Sequence, residues 1–138
     1  MSDSRPIGIF DSGVGGLTVL KAIRERLPKE NFLYFGDTLH FPYGEKTAET
    51  IIQYGFEIAS FLNEHQIKAL VIACNTASAF ALKELIQKFD FPILGVIQPS
   101  AKKALAFSPR GNIAVLGTRG TIRSMSYQKN SIGNATPF

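Results

Sequence analysis

The sequence predicts an α/β fold with a parallel sheet, and three observations support this prediction. Short apolar runs alternate with segments whose apolar residues recur at helical spacing, as in strands joined by right-handed helical crossovers. Residues 67–73 are almost continuously apolar, which favours a parallel strand buried on both faces. Residues 7–12 can be overlaid on residues 113–118, which indicates that a second, similar unit begins late in the chain.

The periodicity then assigns the elements in order. For example, Leu17, Leu20, Ile23 and Leu27 recur at helical spacing, and Pro28 ends that helix. The predicted elements are strand 6–10, helix 17–27, strand 31–35, helix 47–62, strand 67–73, helix 77–89, strand 91–97, a short Ala/Lys-rich helix after Pro99, and strand 112–116.

This organisation divides the chain into three parts. We expect residues 1–98 to form a first α/β lobe and residues 99–127 to begin a second lobe built like the first. Residues 128–138 are small, polar and aperiodic, so they are predicted to be a frayed or aberrant tail.

Composition limits the class of protein. The 138 residues are 45% hydrophobic and 19% charged, a balance typical of a globular domain and not of a disordered chain. Cys74 is the only cysteine and the N-terminus lacks a secretory signal pattern, so we expect a reducing, cytoplasmic setting. The longest apolar run is far shorter than the roughly 18 residues of a membrane span, so no membrane partner is expected.

The charge is distributed unevenly along the chain. Residues 1–98 carry nine basic and eleven acidic side chains, whereas residues 99–138 carry six basic and no acidic ones. Either a binding arm or the lack of an acidic portion produces such an asymmetry. We favour the second, because the basic part has no aromatic stacking platform or known nucleic-acid module. No nucleic-acid partner is expected.

Polar residues follow three of the predicted strands, at Asp11, at Gly36 and Asp37, and at Cys74. Ligands of parallel sheets bind beyond the carboxyl ends of the strands. These loops therefore predict one common site.

The first loop, DSGVGG at 11–16, brings the Asp11 carboxylate and the Ser12 hydroxyl close to the start of a helix. Free backbone N–H groups there are suited to bind a substrate anion. The structural alternative is a glycine-rich turn in which Asp11 or Ser12 caps the helix. The spacing matches neither dinucleotide nor nucleoside-triphosphate loops, so a nucleotide is disfavoured.

Cys74 lies between a buried strand and a helix, where the helix dipole and unpaired amides favour the thiolate. A buried structural cysteine is the alternative. Asn75 and Thr76 follow directly and add an amide and a hydroxyl, which favours a functional thiol.

In the loop FPYG at 41–44, Tyr43 and Gly44 are predicted to close over the mouth of the site, with the Gly44 amide binding a carboxylate. A plain turn is an equal alternative. His40 and His65 have no partners at metal-ligand spacing. They are predicted to be exposed and isolated, and no metal site is expected.

Four motifs carry a family resemblance. The chain reads FDSGVGGLTV at 10–19, FGDT at 35–38 with PYG at 42–44, ACNTAS at 73–78, and GTRGTIRS at 117–124. In this order they resemble the N-terminal part of bacterial glutamate racemases, in the aspartate/glutamate racemase family. The match extends over residues 6 to about 127.

The resemblance implies a flavodoxin-like lobe and cofactor-independent racemisation of glutamate for peptidoglycan synthesis, without pyridoxal phosphate, metal or nucleotide. It implies that Cys74 is one of two catalytic thiols, and for the full-length form it allows a homodimer. The residues implied to bind glutamate are Asp11, Ser12, Tyr43, Gly44, Asn75 and Thr76, with Thr118 and Thr121 as further contacts.

The chain departs from the family at three points. The second thiol of the family, in a Gly-Cys-Thr-His motif, has no counterpart, since no cysteine follows Cys74. Gln98 replaces a glutamate of the family, and the sequence after Tyr127 leaves the family pattern. We therefore expect a truncated chain that is inactive alone. The alternative is a non-catalytic lobe that binds a small dicarboxylate or a partner protein.

Overall fold

The computed structural model describes residues 3–108 and 112–131, with the backbone alone described at 131. Its centre is a parallel sheet of four strands in the order β2-β1-β3-β4. The strands are β1 (Ile7–Asp11), β2 (Phe32–Gly36), β3 (Ala69–Ile72) and β4 (Ile93–Gly95). The predicted α/β class and the parallel sheet are confirmed.

Helices connect these strands and continue after the last one. They are α1 (Leu17–Arg26), α2 (Ala48–Glu64), α3 (Asn75–Phe80), α4 (Leu82–Lys88), α5 (Ile97–Phe107), α6 (Arg119–Arg123) and α7 (Ser126–Ser131), and Tyr43–Glu45 forms one turn of 3₁₀ helix. Within the described ranges, no helix is both long and apolar enough to cross a membrane.

The register of the sheet aligns the ends of its strands. Asp11 pairs with Gly36, and Ile72 pairs with Gly95. The Ala73 N–H donates to the Phe10 carbonyl over 2.8 Å. Because all four strands are parallel, the loops that begin at Asp11, Gly36 and Ala73 leave the same edge. The predicted gathering of three loops at one edge is confirmed.

The core lies between the sheet and helices α2 to α4. Phe10 of β1 and Leu70 of β3 are fully buried, as the central position of these strands requires. Helices α2 and α4 cover this face with Ile51, Leu62 and Leu85, which are also fully buried. The sheet edge that carries the loops is therefore set on a rigid, well-packed base.

Two predicted boundaries differ from the structure for identifiable reasons. The helix predicted at 77–89 begins earlier, at Asn75, because the Cys74 side chain caps it, and it is interrupted at Ala81. Helix α5 begins at Ile97 and contains Pro99, so it starts before the point after Pro99 at which the periodicity predicts a helix. A proline in the first helical turn loses no intrahelical hydrogen bond.

The late part of the chain differs more. The strand predicted at 112–116 is wrong: these residues form no strand, and Leu116 is 97% exposed. A strand needs a hydrogen-bonded neighbour, and the described residues provide none for this segment. Residues 128–131, the start of the predicted frayed tail, belong to helix α7. Residues 132–138, the rest of that predicted tail, lie outside the described residues.

Candidate active site

The Asp11 side chain holds the first loop, residues 11–16, together through hydrogen bonds. Its side chain is 6% exposed, and its Oδ2 accepts hydrogen bonds from the N–H groups of Gly13 over 3.1 Å and Gly16 over 3.0 Å. The expectation that the amides of this loop are free for a substrate anion is therefore wrong for these two glycines. The carboxylate itself fixes the glycine-rich turn, but it does not cap α1, whose N-cap residue Gly16 has no side-chain cap hydrogen bond.

Tyr34 of β2 adds to this arrangement. Its hydroxyl donates to the Gly13 carbonyl over 3.0 Å and lies 3.5 Å from Asp11 Oδ2. Burial of the ring raises the pKa of Tyr34 to about 12, and electrostatic interactions with Asp11 and Cys74 act in the same direction. The Tyr34 hydroxyl therefore stays protonated at physiological pH and acts as a hydrogen-bond donor.

Cys74 lies at the same edge, next to Ser12. The Cys74 Sγ is 3.4 Å from the Ser12 Oγ and accepts from the Ala77 N–H over 3.4 Å. The side chain is 6% exposed. An amide N–H and a hydroxyl that can rotate to donate are the groups that stabilise a thiolate. Packing, capping and proton transfer are compatible roles for this one sulfur.

Thr76 belongs to a group of three hydroxyls that joins the two parts of the chain. Its Oγ1 lies 2.8 Å from Thr118 Oγ1 and 3.2 Å from Thr121 Oγ1, and the last two oxygens are 3.0 Å apart. Thr76 and Thr121 are each 2% exposed. The resemblance named all three as glutamate contacts, and the structure brings them together.

Asn75 is also engaged by the later part of the chain. The Tyr127 hydroxyl of α7 donates to Asn75 Oδ1 over 2.5 Å. With its oxygen occupied, the Asn75 side chain presents its NH₂ group as a donor. An amide donor suits a carboxylate ligand.

Tyr43 lies in the hydrophobic core, and Gly44 lies against the start of α6. Tyr43 is 1% exposed, and its hydroxyl donates to Asp37 Oδ2 over 2.5 Å. Burial raises the pKa of Tyr43, and Asp37 raises it further. A Cβ at Gly44 would lie 2.5 Å from the Thr118 Cβ, so this glycine allows the backbone to approach α6 closely.

Sequence reasoning missed the pair Asp37 and His40. The prediction of an isolated, exposed His40 is wrong: its Nδ1 lies 2.8 Å and 2.9 Å from the two Asp37 oxygens, and its ring stacks on Tyr54 at 4.1 Å. The available signal was the spacing of a carboxylate and an imidazole three residues apart, directly after a strand. His65 is exposed as predicted, with its Nδ1 2.8 Å from the Phe61 carbonyl.

Two clefts border this edge. One of about 400 Å³ lies beside Asn75, Thr118, Thr121 and Tyr127, with α5 and residues 113–117 as its other walls. The other, of about 360 Å³, is lined by Lys46, Arg119 and Arg123 together with Phe80 and the Gly44 turn. Cys74 and Asp11 line neither cleft. Among the described residues, no three His, Cys, Asp or Glu side chains form a group able to hold a metal ion.

Comparison with known proteins gives consistent matches. The Asp/Glu/Hydantoin racemase family matches residues 7–134. A glutamate racemase of Geobacter metallireducens is 57% identical over 125 residues, which covers 91% of this chain and 46% of that protein. One of Enterococcus faecalis is 49% identical over 128 residues and is covered to 47%.

Solved structures of glutamate racemases are also similar to this chain. The crystal structure of Thermus thermophilus glutamate racemase in complex with β-chloro-D-alanine has a TM-score of 0.83 at 47% identity, covering 94% of this chain and 49% of that chain. That of Francisella tularensis glutamate racemase with D-glutamate has a TM-score of 0.80 at 37% identity, with the same two coverages. The chain thus spans about half the length of the relatives that it matches.

Proposed function

This chain belongs to the Asp/Glu/Hydantoin racemase family, and from this premise we propose that it supplies the first catalytic half of a cofactor-independent glutamate racemase. The observation that carries the proposal is the position of Cys74. Its sulfur lies at the common sheet edge between the Ser12 hydroxyl and the Ala77 N–H.

The reaction places two demands on the site. The α-hydrogen of an amino acid is weakly acidic, so its removal needs a positioned base and stabilisation of the negative charge that develops. Inversion also needs a group that returns a proton to the opposite face of the α-carbon. Cys74 as a thiolate takes the proton from one face, and as a thiol it returns a proton to that same face.

The proposed substrate contacts come from the three loops at this sheet edge. Asn75 offers its NH₂ group, Ser12 its hydroxyl, and the segment of Tyr43 and Gly44 a backbone amide. Asp11, which fixes the loop next to Ser12, assists Cys74 and contacts the substrate, while Thr76 contributes its hydroxyl. These groups recognise the charged ammonium and carboxylate groups of glutamate.

The proposal includes a biological setting. D-Glutamate is a building block of peptidoglycan, so the activity would serve cell-wall biogenesis and cell shape, in the cytoplasm. A two-thiol mechanism needs a second sulfur, and Cys74 is the only cysteine in these 138 residues. We therefore propose that these residues alone bind glutamate without inverting it, and that the complete enzyme can form a homodimer.

A non-catalytic lobe that binds a dicarboxylate or a partner protein is the second candidate. The observation that favours it is that Thr76 and Asn75 already hydrogen-bond to Thr118 and Tyr127. In this case a ligand would bind beside these groups without reaching the sulfur.

Alkylation of Cys74 tests the proposal, because no other cysteine reacts. The rate of modification by iodoacetamide, followed by intact mass, should fall as D-glutamate is added and should not fall with lysine at the same concentration. Ser12→Ala should weaken the protection by glutamate, whereas Ser60→Ala, on the exposed side of α2, should leave it unchanged. A rate independent of glutamate would overturn the proposed contact with the thiol.

A further inference from the structure

Asp37 is a buried carboxylate to which the mechanism above gives no role. It is 7% exposed, and both of its oxygens are within hydrogen-bond distance of another side chain. A buried charge is costly unless it is paired and hydrogen-bonded. The partners of this carboxylate therefore indicate what it holds in place.

The backbone of Asp37 joins it to the first loop. Its N–H donates to the Asp11 carbonyl over 2.9 Å, which continues the pairing of β1 with β2 by one residue. The backbone of Asp37 is therefore part of the edge of the sheet.

The side chain of Asp37 reaches the second loop through Tyr43. The Tyr43 ring packs against Phe10 and Tyr54, with ring centroids 6.4 Å and 5.6 Å apart. Its hydroxyl donates to Asp37 Oδ2, and among the described residues this is its only hydrogen bond. The position of Gly44, the next residue, depends on this anchored ring.

His40 holds the carboxylate from the other side. Its ring is stacked on Tyr54 with an interplanar angle of 22°, and Lys46 Nζ lies 5.7 Å from the centroid of the same Tyr54 ring. His40 is 35% exposed at its side chain. It covers Asp37 from solvent and fixes the orientation of the carboxylate.

We propose that Asp37 is a positioning residue that acts through the Tyr43 hydroxyl to hold the Gly44 amide where the substrate carboxylate binds. This inference rests on the proposed function, because it assigns a purpose to a contact at the same site. Asp37 links the loop after β1 to the loop after β2, so the two sides of the mouth keep a fixed separation. His40 is the second positioning residue, and it acts on the carboxylate alone.

A double-mutant cycle tests the proposal with isosteric changes that preserve packing. Tyr43→Phe should weaken D-glutamate binding by about tenfold, the scale of one charge-assisted hydrogen bond. Asp37→Asn, which keeps an acceptor oxygen but removes the charge, should weaken it by a smaller factor. Binding is measured by calorimetry on variants whose near-ultraviolet circular dichroism is unchanged. Because Tyr43→Phe removes the hydrogen bond and Asp37→Asn removes the charge that strengthens it, the two changes act on the same contact. The double variant should therefore bind no more weakly than Tyr43→Phe.

The controls separate positioning from a general effect of charge. Asp90→Asn makes the same chemical change at an exposed residue before β4, at the opposite edge of the sheet, and should bind D-glutamate as the unmodified chain does. His40→Gln should weaken binding less than Asp37→Asn. Unchanged binding in Asp37→Asn, or losses that multiply in the double variant, would overturn the proposal.

A spectroscopic readout keeps this result distinct from failure of the proposed function. In proton NMR, the Tyr43 hydroxyl should give a downfield, slowly exchanging signal that disappears in Tyr43→Phe and moves upfield in Asp37→Asn, where the neutral amide oxygen is a weaker acceptor. If the unmodified chain does not bind D-glutamate, the proposed function is overturned, and this signal alone decides whether Asp37 anchors Tyr43. An unchanged signal in Asp37→Asn would overturn the anchoring.

Discussion

Asp11 and Cys74 each hold the local backbone in place and also carry a side-chain group that can take part in chemistry. Asp11 accepts hydrogen bonds from Gly13 and Gly16, and Cys74 caps α3 through its contact with the Ala77 N–H. Both side chains are fixed by the backbone that follows them. A fixed carboxylate and a fixed sulfur lose little conformational entropy when a ligand binds, which is the general advantage of preorganised sites.

Tyr34 gives a prediction about stability at alkaline pH. Its pKa is raised to about 12 in the folded chain, mainly by burial, whereas an unfolded tyrosine titrates near pH 10. The folded state therefore binds the proton more tightly, so this stabilisation is complete below about pH 10 and is lost as the pH rises towards about 12.

The measurement is the urea midpoint of the unmodified chain and of Tyr34→Phe at about pH 9 and about pH 11, on either side of the unfolded pKa. The midpoint of the unmodified chain should fall more than that of the variant. Tyr43, whose pKa is also raised, is present in both and accounts for a shared decline. Equal declines would contradict the role given to Tyr34.

Among individual residues, those that follow strands could be predicted from the sequence. The side chains from other elements that contact them could not. Asp11, Cys74 and their neighbours were predictable because strand ends and glycine turns are local signals. His40 was mistaken for an isolated residue because its stacking partner, Tyr54, comes from α2. Such a contact depends on how the helix packs, which local spacing does not encode.

At the level of elements, the strands were predictable and the late segment was not. Strand β1 is almost entirely buried and β2 is partly buried throughout, and both are visible in the sequence as short apolar runs. Residues 112–116 have the same apolar character, yet they form no strand, because a strand also requires a partner for its backbone. The sequence pattern shows suitability for pairing and does not show that a neighbour is available.

Gly44 gives a prediction about the contact between the 3₁₀ turn and α6. In Gly44→Ala the new Cβ would lie 2.5 Å from the Thr118 Cβ, a distance that forces the two segments apart. We expect a loss of about 1–3 kcal/mol in the free energy of unfolding, the usual cost of overpacking, measured by urea denaturation.

Gly117→Ala is the matched control. A Cβ at Gly117 would have its nearest neighbours, on Thr121, at 3.6 Å, which is an ordinary contact. The control should change the free energy of unfolding much less than Gly44→Ala. Equal effects of the two substitutions would contradict the close approach at Gly44.

At the level of the whole molecule, the later helices lie against the mouth of the sheet. Thr118 and Thr121 contact Thr76, and Tyr127 contacts Asn75. These contacts join the start of α3 to α6 and α7, so the candidate site is built from both parts of the chain. A change in the position of α6 and α7 would therefore alter the groups offered to a ligand.

The single sulfur leads to a prediction about catalysis by these residues. In D₂O, the chain should form no D-glutamate from L-glutamate, because one group serves only one face of the α-carbon. Slow exchange of the α-hydrogen of one enantiomer, lost in Cys74→Ser, is the most activity expected, and it should be orders of magnitude below that of an intact enzyme. Proton NMR measures exchange, and chiral chromatography measures inversion. Rapid inversion would contradict the two-thiol mechanism.

Amide NMR of the ¹⁵N-labelled chain during titration with D-glutamate is the decisive test of the proposed glutamate site, since it locates the ligand without requiring turnover. We expect saturable shifts that are largest at Ser12, Gly44, Asn75 and Thr76, which belong to the loops at this sheet edge. Shifts confined to the cleft lined by Lys46, Arg119 and Arg123, or no shifts at saturating concentrations, would contradict a glutamate site at this edge of the sheet.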